Sequence, residues 1–146
     1  MTARTRALLG FAAAVLSVLT FHQGMWALLH AVGVMPLAPY PTSPVAPFGV
    51  PQIASLCFWG GLYGLVFGLA LPRLPRRVPM WLLGLGLGLL AAVVGWFVVA
   101  PLKGQPAAGG FVPLRVLVSV LINGFWGIGV GVVLPLLMNR RSPARA

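Results

Sequence analysis

The sequence predicts an all-α polytopic membrane protein, with four transmembrane helices in an up-down bundle that two parallel helical-hairpin repeats could build. Three observations predict it. The 146 residues are 60% apolar with a mean hydropathy of +1.00. Asp and Glu are absent beside ten Lys and Arg, a net charge of +10. Four apolar runs each reach the roughly 20 residues that carry a helix across a bilayer core of about 30 Å. An ordinary soluble domain is about a quarter charged, against 7% here. The missing carboxylates also exclude paired-acid hydrolysis, carboxylate proton relays and acidic cages for hard cations.

The first span is Ala7 to Val34. Arg4 and Arg6 precede it, but its length exceeds the roughly 7–15 residues of a cleavable secretory core, which predicts a retained signal anchor. The second span is Gln52 to Leu71, the third Met80 to Ala100 and the fourth Pro113 to Leu137. Pro51, Pro79 and Pro113 stand where a first helical turn accepts a residue without an N–H, and Pro36, Pro72 and Pro101 follow runs that need an ending. Pro135 is placed to kink the last turn of the fourth span.

Basic residues assign the sides, because short cytoplasmic segments are enriched in Lys and Arg. Arg4 and Arg6, then Arg73, Arg76 and Arg77 of the inner loop 72–79, then Arg140, Arg141 and Arg145 of the tail 138–146 all fall on one side. Both termini are therefore expected in the cytoplasm, with the basic segments against anionic lipid. Lys103 and Arg115 lie on the other side, where they could contact lipid headgroups or an anion. These clusters are topology and lipid signals, and nucleic acid is not an expected partner.

The outer loop 35–51 carries six prolines and no charge. It cannot be helical, and extended polyproline-like geometry is expected. Val45, Phe48, Val50 and the amphipathic Tyr40 should rest on the bundle, as a lid or as a passive strap. Phe58-Trp59-Gly60-Gly61-Leu62-Tyr63-Gly64 and Phe125-Trp126-Gly127-Ile128-Gly129-Val130-Gly131 share a pattern, and each follows a Phe-to-Pro phrase ending at Pro51 or Pro113. That pattern suggests duplicated hairpins of like orientation, although the two Pro-to-Phe spacings differ.

Gly60, Gly64 and Gly68 form a double GxxxG ridge, with shorter ones at Gly84 and Gly88 and at Gly127 and Gly131. Such ridges let backbones approach where lipid supplies no hydrophobic squeeze, within one chain, between copies in a homo-oligomer, or both. Polar residues inside the spans are the functional candidates, chiefly His22, Gln23, His30 and Asn123, with Ser55, Cys57 and Ser119. His22, Trp26 and His30 share a stripe at i, i+4, i+8 with Gln23 on its flank. A hydrogen bond from His22 or Gln23 to Asn123 is expected, since a polar group in hydrocarbon must find a partner. Trp81 and Trp26 suit interfacial belts, whereas Trp59 and Trp126 lie deeper and should pack on the glycines. The lone Cys57 reads as a small hydrophobe.

The phrases Phe21-His22-Gln23-Gly24, Phe48-Gly49-Val50-Pro51, Phe58-Trp59-Gly60-Gly61-Leu62-Tyr63-Gly64 and Pro101-Leu102-Lys103-Gly104 resemble a group of uncharacterised small four-helix inner-membrane proteins of proteobacteria. The resemblance implies a bacterial inner membrane and carries no activity, substrate or cofactor. No nucleophile with a base, metal constellation or phosphate loop in a strand-to-helix setting is present in the sequence, so no catalytic residue, resident cofactor or metal is expected. The expected role is non-enzymatic, as a helix-packing or accessory membrane protein. The alternatives are a small transporter or channel for an uncharged or anionic solute, and metal or haem carriage through His22 and His30. The last requires two subunits, because two side chains about 12 Å apart on one helix cannot clasp one iron.

Overall fold

Hydrocarbon offers no water to satisfy amides, so an apolar chain in it must close its own backbone ladder. The computed structural model of the protein describes residues 1–46 and 48–139. It has four helices long and apolar enough to cross a membrane: Ala3–Ala31, Gln52–Arg73, Met80–Leu102 and Pro113–Asn139. Each contains most of the span read from the sequence. The expected lipid contacts of Arg140 and Arg141, with Arg145, lie outside the described residues.

The first span begins four residues earlier than expected because Thr2 caps it, its Oγ1 accepting from the Thr5 amide at 3.2 Å. It stops at Ala31 because Gly33 takes a φ of +78° and the amides of Gly33, Val34 and Met35 turn back onto His30 O and Leu29 O. Glycine enters that left-handed region without a Cβ penalty. Pro51 and Pro79 precede the second and third helices in extended conformation, and Pro113 opens the fourth. Pro135 sits inside the fourth helix.

Two interruptions were not foreseen. The first span is α-helical for 15 residues, Ala3–Ser17, and then makes a five-residue π-helical turn, Val18–His22, before resuming. The third span repeats this plan, with 15 α-helical residues, Met80–Val94, and a five-residue π turn, Gly95–Val99. A π turn inserts one residue into the helix and redirects everything after it.

The glycine ridges meet inside the chain. Gly68 lies against Arg6 O, Gly64 against Gly10 and Ala14, and Gly60 against Val18, so residue numbers fall along the second span as they rise along the first. Likewise Gly131 lies against Met80 and Trp81, Gly127 against Gly84 and Gly88, and Gly88 against Asn123 O. A Cβ at Gly10, Gly64, Gly84 or Gly127 would overlap a carbonyl oxygen of the facing helix. Gly10 is half of the first contact, and no glycine spacing on its own span announces it.

The first span also packs on the fourth, while the second and third touch little. Leu9, Ala13, Ala14 and Val18 meet Phe67, Leu87, Trp126, Val130 and Leu134 in the main core, and Trp26, Leu29 and Ile122 form a second cluster. Trp126 is only 2% exposed, its indole donating to Ala14 O at 3.1 Å and its ring 6.3 Å from Tyr63. Gly60 leaves room for Val18 and for Trp126. Trp59 departs from the expectation and points outward, because the glycine face of its helix, one hundred degrees around, is the one that packs.

The outer loop is not uniformly polyproline-like. Pro44–Val45, strand β1, and Val50–Pro51, strand β2, form a two-residue antiparallel ladder, pairing Pro44 with Pro51 and Val45 with Val50. Gly49, at a φ of +66°, allows the turn between them. Phe48 at its tip stands off the bundle instead of resting on it.

Candidate functional site

Polar side chains gather in two places, both toward the end of the molecule opposite Arg4, Arg6 and Arg73. The first is a clasp between the first span and the start of the outer loop. Gln23 is fully buried, and its Oε1 accepts the Tyr40 amide at 2.6 Å. Its Nε2 lies 3.3 Å from His22 Nδ1, and with Oε1 taken by a donor, Nε2 donates and the imidazole nitrogen accepts. Trp26 Nε1 donates to Leu37 O at 2.9 Å, and His30 Nδ1 donates to Met35 O at 2.8 Å. The Tyr40 hydroxyl completes the clasp by donating to Leu19 O at 2.7 Å.

The π turn makes this possible. The Gln23 amide bonds back to Val18 O and Thr20 O, passing over Leu19 O. Gln23, Trp26 and His30 all lie on the α-helical stretch that follows the turn, Gln23–Ala31, at i, i+3, i+7 and so on one face. The residues that hold the loop are 23, 26 and 30, where the sequence reading put 22, 26 and 30 on the stripe and Gln23 on its flank. His22 is buried beside it, its ring 6.2 Å from that of Trp26.

The second node joins the third and fourth spans. Trp96 Nε1 donates to Ser119 Oγ at 3.0 Å, and Asn123 Nδ2 reaches Ser119 O at 2.9 Å and Ser119 Oγ at 3.4 Å. The expected bond from His22 or Gln23 to Asn123 does not form. A carbonyl one turn back on its own helix is always within reach of such a side chain, and where the first and fourth spans face each other Phe21 fills the space, its ring 5.5 Å from Phe125 and set against Gly129. Ser119 thus becomes a hub, and Trp96, which sequence spacing did not single out, its main partner.

Between this node and the loop that follows the third span lies a half-open cavity of about 520 Å³, lined among others by Trp96, Gln105, Pro106, Gly109, Arg115 and Ser119. Lys103 is exposed on the adjoining turn and is not part of the lining. The loop is tightly wound: Ala108, Gly109, Gly110 and Phe111 have φ values of +48°, +63°, +74° and +57°. The Arg115 guanidinium donates to Gly109 O at 3.3 Å. Ser55 and Cys57 join neither node, and Cys57 packs beside the main core. Among the described residues no three His, Cys, Asp or Glu side chains come together.

No protein family, no curated protein and no solved structure matches the chain.

Proposed function

We propose that the chain is a multi-pass protein of a bacterial inner membrane whose role is non-enzymatic, exercised through packed helices as a structural or accessory component. The observation that carries this reading is the fate of the intramembrane polar groups. Gln23, Trp26, His30 and Tyr40 hold a loop to a helix, Trp96 and Asn123 converge on Ser119, Trp126 bonds Ala14 O, and Ser17 bonds Ala13 O. Groups that satisfy one another fix a structure. A solute path would need such groups turned toward it.

In this reading the spans run up and down in alternation, which the reversed order of the glycine contacts supports. The termini face the cytoplasm, supported by Arg4 and Arg6 lying at the same end as Arg73. The two hairpins are parallel repeats: both odd-numbered spans have 15 α-helical residues followed by a five-residue π turn, and the shared Phe-Trp-Gly tracts fall on the even-numbered ones. The resemblance to small proteobacterial inner-membrane proteins agrees with this placement. A homo-oligomer stays compatible, but the ridges at Gly64, Gly68, Gly84, Gly88, Gly127 and Gly131 are engaged within the chain.

Flux across sealed vesicles tests the role. Purified protein in liposomes is expected to leave ion and small-metabolite permeability at the level of empty vesicles, while Gln23→Ala lowers thermal stability in detergent. Solute-specific flux abolished by Gln23→Ala in a folded protein would overturn the proposal in favour of transport.

A further inference from the structure

We propose that the cavity between the third and fourth spans binds the phosphate oxygens of an anionic phospholipid headgroup. The inference stands on the chemistry of the lining and does not depend on the structural role proposed above.

The lining offers donors. Ser119 Oγ takes N–H donors from Trp96 at 3.0 Å and Asn123 at 3.4 Å. A hydroxyl has two acceptor positions and one O–H, so these contacts fill its acceptor side and leave its proton to donate. Ser17 and Thr20 each donate that proton to a carbonyl one turn back, Ala13 O and Leu16 O. Ser119 forms no such bond, and it lines the cavity. Arg115 adds a guanidinium whose one bond is the 3.3 Å contact to Gly109 O, leaving most of its five N–H donors free. Gln105 adds a carboxamide.

The charge is uncompensated. The sequence contains no acidic side chain, so nothing on the chain's side chains can neutralise Arg115, and its place in the first turn of a helix adds the positive end of the helix dipole. Backbone geometry fits the Arg115 stem to this position: a Cβ on Gly109 would lie 3.1 Å from Arg115 Cβ and 3.2 Å from its Cδ. A cluster of donors beside an exposed, uncompensated cation calls for an oxyanion, and phosphate oxygens suit a guanidinium.

The surroundings select a lipid as the source. Phe97, Leu102, Phe111 and Leu114, each at least half exposed, are chain neighbours of the lining residues or of the loop that carries them, and Phe97 and Phe111 stand 6.4 Å apart. Acyl chains would lie along these side chains while the headgroup enters. At about 520 Å³ the cavity is larger than a bare phosphate and has space for a phosphoglycerol group.

Native mass spectrometry of the full chain, exchanged into mixed lipid micelles, reads this directly. Phosphatidylglycerol should be retained over phosphatidylcholine. Arg115→Gln should reduce retention about tenfold, the usual worth of a charge-assisted hydrogen bond, and Ser119→Ala by a few-fold, while Lys103→Gln leaves it unchanged. Equal retention of both lipids overturns the proposal, as does an equal loss in Lys103→Gln, which marks diffuse attraction. Displacement of the lipid by glycerol 3-phosphate at matching concentration overturns the lipid source. Should Arg115→Gln fail to fold, the headgroup preference of the unaltered chain and the response of Ser119→Ala decide.

Discussion

The Tyr40 hydroxyl bonds the Leu19 carbonyl at 2.7 Å, at the turn where the first helix's own ladder passes that carbonyl by. One interruption of a helix thereby becomes the anchor of a loop. Tyr40 adopts a φ of +56° to make this bond, a conformation that costs an L-residue about 1–2 kcal/mol. Its amide bond to the buried Gln23 and its hydroxyl bond to Leu19 together offset that cost.

Tyr40→Phe should therefore destabilise the protein by about 1 kcal/mol, the worth of one hydrogen bond. Thermal unfolding in detergent measures the loss, and protease cleavage within the outer loop should quicken. Unchanged cleavage would show that the loop is held without the hydroxyl.

Gln23→Ala should cost more, about 2–4 kcal/mol, because it empties a fully buried position and leaves the Tyr40 amide and His22 Nδ1 without their partner. The same unfolding measurement applies. A cost no larger than that of Tyr40→Phe would mean that water replaces the carboxamide.

Two neighbouring glycines separate packing from propensity. A Cβ at Gly84 overlaps the Gly127 carbonyl oxygen, whereas one at Gly86 meets nothing within 4 Å. Gly84→Ala should lose about 1–3 kcal/mol as the third and fourth helices are forced apart, and Gly86→Ala should stay within about 0.5 kcal/mol of the unaltered protein. Parallel melting curves decide, and equal effects would refute the helix contact.

Trp126→Phe keeps the ring against Tyr63 and removes the indole donor to Ala14 O. About 1 kcal/mol should be lost. Far-ultraviolet circular dichroism should be unaltered while the unfolding midpoint falls.

Sidedness is tested by reporter fusions. A phosphatase fused after Gly104 should be active and one fused after Arg77 inactive if the basic loop faces the cytoplasm as proposed. The reverse pattern would invert the assignment.

The sequence by itself determined the four spans, the starts of the last three at Gln52, Met80 and Pro113, and the distribution of charge. Apolar runs must close as helices in hydrocarbon, prolines cannot continue them, and arginines resist crossing. It also located the polar candidates His22, Gln23, His30 and Asn123 and the glycine ridges. Only the tertiary structure decided which faces meet. Lipid tails are as apolar as a helix core, so a helix that is apolar all round carries no inward stripe, and Trp59 and Trp126, each in a Phe-Trp-Gly tract, end on opposite sides of that choice. Spacing alone also assumed an unbroken helix. The π turn at Val18–His22 released Leu19 O for the Tyr40 hydroxyl, and the nearer Ser119 captured Asn123, because hydrogen-bond partners in a bilayer are settled by which groups packing brings within reach.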